Sequence, residues 1–275
     1  MKRKFSRVIF CSFLMMFLAL GAMAQVLDGI YVKEHFPTRK VVPYSHLREA
    51  DVMWSKRIWR AIPLNEKINQ PLMLPLHGST NDRKSLIDVI FDAAIAGDLT
   101  AYYGEHGEEF AERFTPQELK GFGASDDTVD VAQPDGTTKR EVSHREFNRD
   151  DITKYRIKED WFFDKQRSVM DVRIIGIAPV REDTVKKIET PIFWIYFPEA
   201  RHVFVNKETF NRFNDAERRT FDDIFFKRIF SSYIIKEANV EDRRISAYAM
   251  GLDALIESQR IKEDLFVLEH DVWEL

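Results

Sequence analysis

With 275 residues, 44% of them apolar, the chain is long enough to bury a substantial core without covalent staples. Its one cysteine, Cys11, lies in an N-terminal apolar run, which excludes a disulfide framework and, once that run is removed, a thiol nucleophile. Its 41 Lys and Arg against 45 Asp and Glu give a net charge of −4, a balance that argues against nucleic acid as the main partner, for which a clustered basic face is needed.

Residues 1–24 read as an export signal. Lys2, Arg3, Lys4 and Arg7 form the positive start, Val8 to Leu20 the apolar run, and Ala22-Met23-Ala24 the small-x-small cleavage site before Gln25. The run falls short of the roughly 20 residues that span a bilayer. Val8-Ile-Phe10 precedes Cys11 where a lipid-modified cysteine would follow Leu-small-small, so no acyl anchor is expected. Cleavage removes four basic residues and no acids, leaving a mature chain more acidic than the precursor. No later apolar run approaches membrane-spanning length.

Residues 25–50, with Gly29, Pro37 and Pro43 and no sustained period, suggest an extended arm. From Asp51, the spacing of Trp54, Ile58 and Ile62 by four predicts a helix, and Asn69 to Pro75 reads as extended because each proline discourages helix in the residue before it. A helix is expected over about Arg83 to Ala96, capped by Asn81 or Asp82 and stopped by Gly97. Thr115-Pro-Gln-Glu118 is a capping box opening a short helix. Residues 121–145, rich in Gly, Asp, Thr and Ser, suggest an exposed loop.

The most strand-like residues lie between Lys158 and Arg201. Asp160–Asp164, Val169–Ile177 and Pro191–Pro198 read as three antiparallel strands, with a shorter fourth at His202–Val205 and a charged, exposed connection from Arg181 to Glu189. In the second strand Met170, Val172 and Ile174 share one face, opposite Asp171, Arg173, Ile175 and Ile177. Asn214 is placed to cap a long helix whose inward stripe is Phe221, Ile224, Phe225, Ile229 and Tyr233, and the chain from Ile245 reads as mostly helical. These elements describe an α+β fold: a small antiparallel sheet at about 155–205 packed with helices from both halves of the chain. After the arm, residues 51–275 are expected to form a single domain.

Catalytic patterns are absent from the sequence. There is no Gly-x-Ser-x-Gly elbow, no His-Glu-x-x-His pair among the seven histidines, and Gly121-Phe-Gly123 lacks the strand and third glycine of a phosphate loop. Neither cofactor nor metal is expected. Pairs such as Asp126-Asp127, Asp150-Asp151 and Asp222-Asp223 read as solvated surface. Asp171 and Arg173, with Asp164 and Arg201 at strand ends, suggest an ion-pair network of structural or interfacial kind. Arg173 and Arg201, together with Trp273 in the acidic ending, are therefore the candidate partner-binding residues.

Several stretches, in one order over nearly the whole mature chain, resemble the GldN/PorN family of gliding-motility and type IX secretion proteins of Bacteroidota. They are Asp51-Val-Met-Trp-Ser-Lys-Arg-Ile-Trp-Arg60 with Asn69-Gln-Pro-Leu72, Asp160-Trp-Phe-Phe-Asp164 with Arg173-Ile-Ile-Gly-Ile-Ala-Pro179, Phe193-Trp-Ile-Tyr-Phe-Pro-Glu-Ala-Arg201, Asp222-Asp-Ile-Phe-Phe-Lys-Arg-Ile-Phe-Ser-Ser232 and Glu269-His-Asp-Val-Trp273. The resemblance implies a non-enzymatic periplasmic subunit at the inner face of the outer membrane. There it would join a GldK/PorK-type lipoprotein and copies of itself in a large ring and contact the periplasmic part of GldM/PorM, with membrane association only through partners. The alternative reading, a periplasmic hydrolase or glycan-binding protein, needs a cleft where some of Trp54, Trp59, Trp161, Trp194 and Trp273 are exposed beside acids.

Overall fold

A computed structural model of the protein describes residues 38–274 apart from 77–82, 105–108, 122–124, 133–137, 146–148, 183–188, 212–213 and 215. The export signal, residues 25–37 of the arm, and most of the Arg181–Glu189 connection lie outside these. Residues 38–48 form no helix or strand, as an extended arm predicts.

The centre is an antiparallel sheet of seven strands. A long hairpin, β5 (Ile152–Asp164) and β6 (Val169–Glu182), forms its middle. The Asp164 carboxylate closes the hairpin turn by accepting from the amides of Gln166 at 2.9 Å and Arg167 at 3.2 Å. β1 (Val52–Pro63) flanks β5, and β9 (Tyr233–Glu237) flanks β1. On the far side of β6 lie β7 (Glu189–Pro191) and β8 (Phe193–Tyr196), and β2 (Ala101–Tyr103) pairs with β8. The α+β class is as expected, but the sheet reaches well beyond 155–205.

β1 corrects the helix expected from Asp51. A spacing of four fits two periods of a strand nearly as well as one helical turn, so Trp54, Ile58 and Ile62 share a face in either structure. Trp59 and Ala61 between them are also buried, because the strand is paired on both edges and covered on both faces. Arg57 meets Asp160 directly across the ladder at 2.7 Å.

The helices are α1 (Gln70–Met73), α2 (Leu86–Ala96), α3 (Pro116–Gly121), α4 (Phe197–Phe204), α5 (Phe221–Phe226) and α6 (Leu252–Glu274). α2 begins at Leu86 rather than Arg83 and is capped by Ser85, whose hydroxyl accepts from the Asp88 amide, in place of the expected Asn81 or Asp82, which lie outside the described residues; it ends at Gly97 with φ +88°, where glycine carries no Cβ penalty. α3 opens on the expected capping box. α1 replaces the extended reading of Asn69–Pro75: Pro71 sits in the first turn, where its missing amide hydrogen costs nothing.

Residues 121–145 are not a loop throughout, for β3 (Ser125–Ala132) and β4 (Thr138–Arg145) pair as a separate hairpin, and the Pro134-Asp135-Gly136 turn lies outside the described residues. His202–Val205 is not a fourth strand. Pro198 starts α4 instead, and Phe197, Ala200, Arg201 and Phe204 form its buried stripe. The long helix from Asn214 is likewise replaced by the six-residue α5, because Thr220 and Asp223 make a capping box, Arg228 turns the chain at φ +54°, and Tyr233 enters β9. Ile174 and Ile177 were expected on opposite faces of β6. A bulge between Ile174 and Gly176 inserts one residue and brings both into the same core.

That core holds Ile62, Tyr155, Ile157, Ile174, Ile177, Phe193 and Ile195 of the sheet under α2, α4 and α5. Phe197, Phe204 and Phe225 pack ring against ring at 5.4–6.1 Å. Each such fully buried side chain contributes roughly 1.5–3 kcal/mol. A second cluster joins Ile58 and Ile234 to Ile245 and to Ile261 and Leu265 of α6. Trp59, Tyr102, Ala178 and Trp194 form a third on the opposite face, where Gly176 leaves room for Phe110.

Candidate protein-contact surface

Arg173 of β6 and Arg201 of α4, far apart in sequence, converge on one ring in the arm. The Arg201 guanidinium carbon lies 4.4 Å from the centre of Tyr44 and 5.1 Å from that of Phe226; that of Arg173 lies 5.3 Å from Tyr44 and 5.2 Å from Phe162. Tyr44 stacks on Phe226 at 5.8 Å, and Arg173 donates to the Ser45 carbonyl at 2.5 Å. Only a planar guanidinium can stack and fork in this way, so lysine is no equivalent at either position.

Arg201 is 3% exposed and holds a two-point bond to Asp222, at 2.7 and 3.1 Å. Asp223, the next residue, accepts from Arg39 at 2.6 and 2.7 Å and closes the α5 cap with Thr220. Burial pushes the Asp223 carboxyl up, but the bonds from Arg39 and Thr220 outweigh it and hold its pKa below the usual carboxylate range. The bond to Asp223 in turn raises Arg39. Burial raises the Tyr44 phenol, with Arg201 opposing. A cavity of about 340 Å³ opens beside the arm, lined in part by Pro43, Tyr44, Arg167, Asp171 and Phe226.

The same stretches brace the body underneath. Glu159, fully buried on β5, takes a fork from Arg228 at 2.8 and 3.2 Å and the Trp161 indole N–H at 3.1 Å. Asn69 donates to the Pro63 and Ser231 carbonyls and accepts from the Ser231 amide, and Arg60 donates to the Ser232 hydroxyl. Asp222 to Ser232 is therefore a framework segment, and the Asp222-Asp223 pair is buried rather than solvated. The sequence held a sign of this: Thr220-x-x-Asp223 just before an apolar run is a helix start, where acids find donors. Tyr44 and Phe226 had no such sign, because lone aromatics carry no periodicity.

Trp273 lies in the last turn of α6, away in sequence from the arginine pair, and its side chain is outside the described ones. α6 seats Ile261 and Leu265 inward, and Ser258 Oγ accepts from the Ile234 amide at 2.8 Å. Its outward residues are also apolar: Leu252 is 71% exposed and Phe266 67%, with Leu255, Ile256, Val267 and the preceding Met250 exposed too. Among the described residues no three of His, Cys, Asp and Glu are grouped to hold a metal ion, and none of Trp54, Trp59, Trp161 and Trp194 is exposed.

The family model for gliding motility associated protein GldN matches residues 47–274, and the chain belongs to that family. Membership makes it a component of gliding-motility and type IX secretion machinery. No curated protein matches the chain.

Proposed function

We propose that the protein is a non-enzymatic structural subunit of a periplasmic ring in that machinery. The signal at residues 1–24 exports it and is cleaved between Ala24 and Gln25. A GldK/PorK-type lipoprotein keeps it at the inner face of the outer membrane, and a GldM/PorM-type periplasmic domain contacts it. Residues 51–275 act as one α+β domain behind the arm at 25–50. The observation that carries this reading is the apolar outer side of α6, since exposed leucine, isoleucine and phenylalanine gathered on one helix mark a surface awaiting a protein. No described helix is long and apolar enough to cross a membrane, in keeping with attachment through a partner. Trp273, on the same helix, is assigned to partner contact. Arg173 and Arg201 contribute through the arm that they hold.

Co-expression with the lipoprotein, detergent extraction, size separation and electron microscopy of the heavy fraction test this. Rings containing both proteins are expected. A monodisperse protein that leaves the lipoprotein untouched would overturn the assignment.

A further inference from the structure

Two edges of the sheet are closed by the chain itself. Against β2, the Tyr103 amide donates to the Glu112 carbonyl at 3.1 Å and the Phe114 amide to the Ala101 carbonyl at 2.8 Å; on β9, the Ile234 amide donates to Ser258 Oγ at 2.8 Å. A third edge lies along β6. β8 pairs with β6 only at Gly176 and Ile177, because Pro198 turns the chain into α4 just after Tyr196, so among the described residues Val169–Ile174 is laddered to β5 alone. Which groups this stretch turns outward follows from the register. The Pro179 carbonyl faces the side of β7 and β8, since it accepts from the Ile192 amide at 2.9 Å. Alternation from there, reversed once by the bulge between Ile174 and Gly176, turns the N–H and C=O of Met170, Val172 and Ile174 away from β5. The Val172 amide agrees, for it donates to the carboxylate of its own neighbour, Asp171 Oδ1, at 2.8 Å. Among the described residues, no backbone group bonds these three on that side. The cavity of about 340 Å³ lies along the same edge, lined by Asp171, Val172 and Ile174 of β6 and by Phe225 and Phe226 of α5. The arm, seated by Tyr44 on Arg201, lines it too without joining the ladder, and only the Arg173 side chain reaches it there, at the Ser45 carbonyl.

We propose that the β6 edge at Met170–Ile174 takes an extended segment of a partner protein as an added strand, in the position that β8 vacates. Amide and carbonyl groups pointing outward at every second residue are satisfied together only by another extended backbone, which carries the same two-residue repeat. A helix or a small molecule would leave most of them unpaired. The cavity supplies the selection among segments: bounded by Ile174, Phe225 and Phe226, it takes an apolar side chain, so the added strand alternates apolar and polar residues. Until a strand arrives, the Asp171 carboxylate covers the Val172 amide, as charged side chains do on open edges. This contact goes beyond the ring proposal, since it is made by backbone rather than by the outer side of α6. It is read on the purified protein with no lipoprotein present, so either proposal can fail alone.

Random peptides of about ten residues, the upper end of strand length, are displayed on phage and selected on the immobilised protein, and the enriched sequences are synthesised. They are expected to alternate apolar and polar residues and to bind Val172→Pro about tenfold more weakly than the unaltered protein. Proline removes the outward amide and sets its ring in the path of the added strand, while pairing with β5 needs no hydrogen from that residue. Val172→Thr keeps both shape and amide and should bind as the unaltered protein does. Methylating the peptide amide nitrogens one at a time should weaken binding about tenfold at alternate positions and not between them, a signature that contact through side chains does not give and that is independent of how well the proline variant folds. Equal loss along the whole peptide, or no loss, would overturn strand addition. So would peptides that bind Val172→Pro and the unaltered protein alike, and so would a selection that enriches none.

Discussion

Replacing Asp222 by alanine should be the most damaging single change at the arm seat. The Arg201 side chain is 3% exposed and that of Asp222 7%, and the pair is joined by two bonds at 2.7 and 3.1 Å. Truncating one partner leaves a desolvated guanidinium with no counter-charge, a cost of about 3–5 kcal/mol. For a chain of this size each kcal/mol lowers Tm by roughly 2–4 °C, so a fall of about 6–20 °C is expected. Urea unfolding should show the loss as a lower midpoint at unchanged slope. The double variant Arg201→Met with Asp222→Leu replaces the pair by apolar groups of similar size and should recover most of the stability, because neither charge is then left buried alone. It should not recover the arm, since Tyr44 loses the guanidinium on which it rests. Limited proteolysis within residues 38–48 should therefore be fast in the double variant although the body is stable. A cost below about 1 kcal/mol for Asp222→Ala would refute the reasoning, for it would mean that water reaches the pair.

Acid should release the arm before it unfolds the body. The Asp223 pKa is depressed in the folded protein, so its contribution is fully present above the ordinary aspartate value of about 3.9 and is lost as pH falls through the lower folded value; arm cleavage by an acid-active protease should rise only in that window. Gly176→Ala would put a Cβ 2.7 Å from the Phe110 ring and 3.2 Å from Trp194, an overpacking expected to cost about 1–3 kcal/mol by denaturant unfolding. Leu265→Ala should cost about 2–5 kcal/mol through loss of the α6 seat. Phe266→Glu on the opposite side of that helix should leave stability within about 0.5 kcal/mol yet reduce co-purification with assembly partners; retention of full assembly would remove α6 from the contact surface.

How far the sequence announced this molecule can be judged residue by residue. The α2 helix, its stop at Gly97, the Thr115 capping box and the β5–β6 hairpin were legible because each rests on local chemistry: a cap, a left-handed stop, an alternating run. β1 was not, since Trp54, Ile58 and Ile62 satisfy both periods, and the choice is made by partners nearly a hundred residues or more downstream in β5 and β9. Phe221 to Tyr233 failed for the opposite reason. An apolar spacing suited to a helix continues past Arg228, but the fork to Glu159 and the Asn69 bonds to Ser231 turn the chain away. At the seat, Arg173 and Arg201 stood out by residue type, whereas their common target, Tyr44, could be found only once the fold had brought the arm between them.

That difference bears on what the resemblance itself encodes. The matched segments around Asp160, Arg201 and Asp222–Ser232 carry the Glu159–Arg228 and Arg201–Asp222 forks and the Asn69 bracket, so they brace the body. On the proposed function, partner contact falls to the arm and to the apolar outer side of α6. Each can be altered without disturbing the body, and Phe266→Glu and Tyr44→Ala together separate their contributions: loss of assembly in only one variant assigns the contact to that surface, and loss in both assigns it to the two acting in concert.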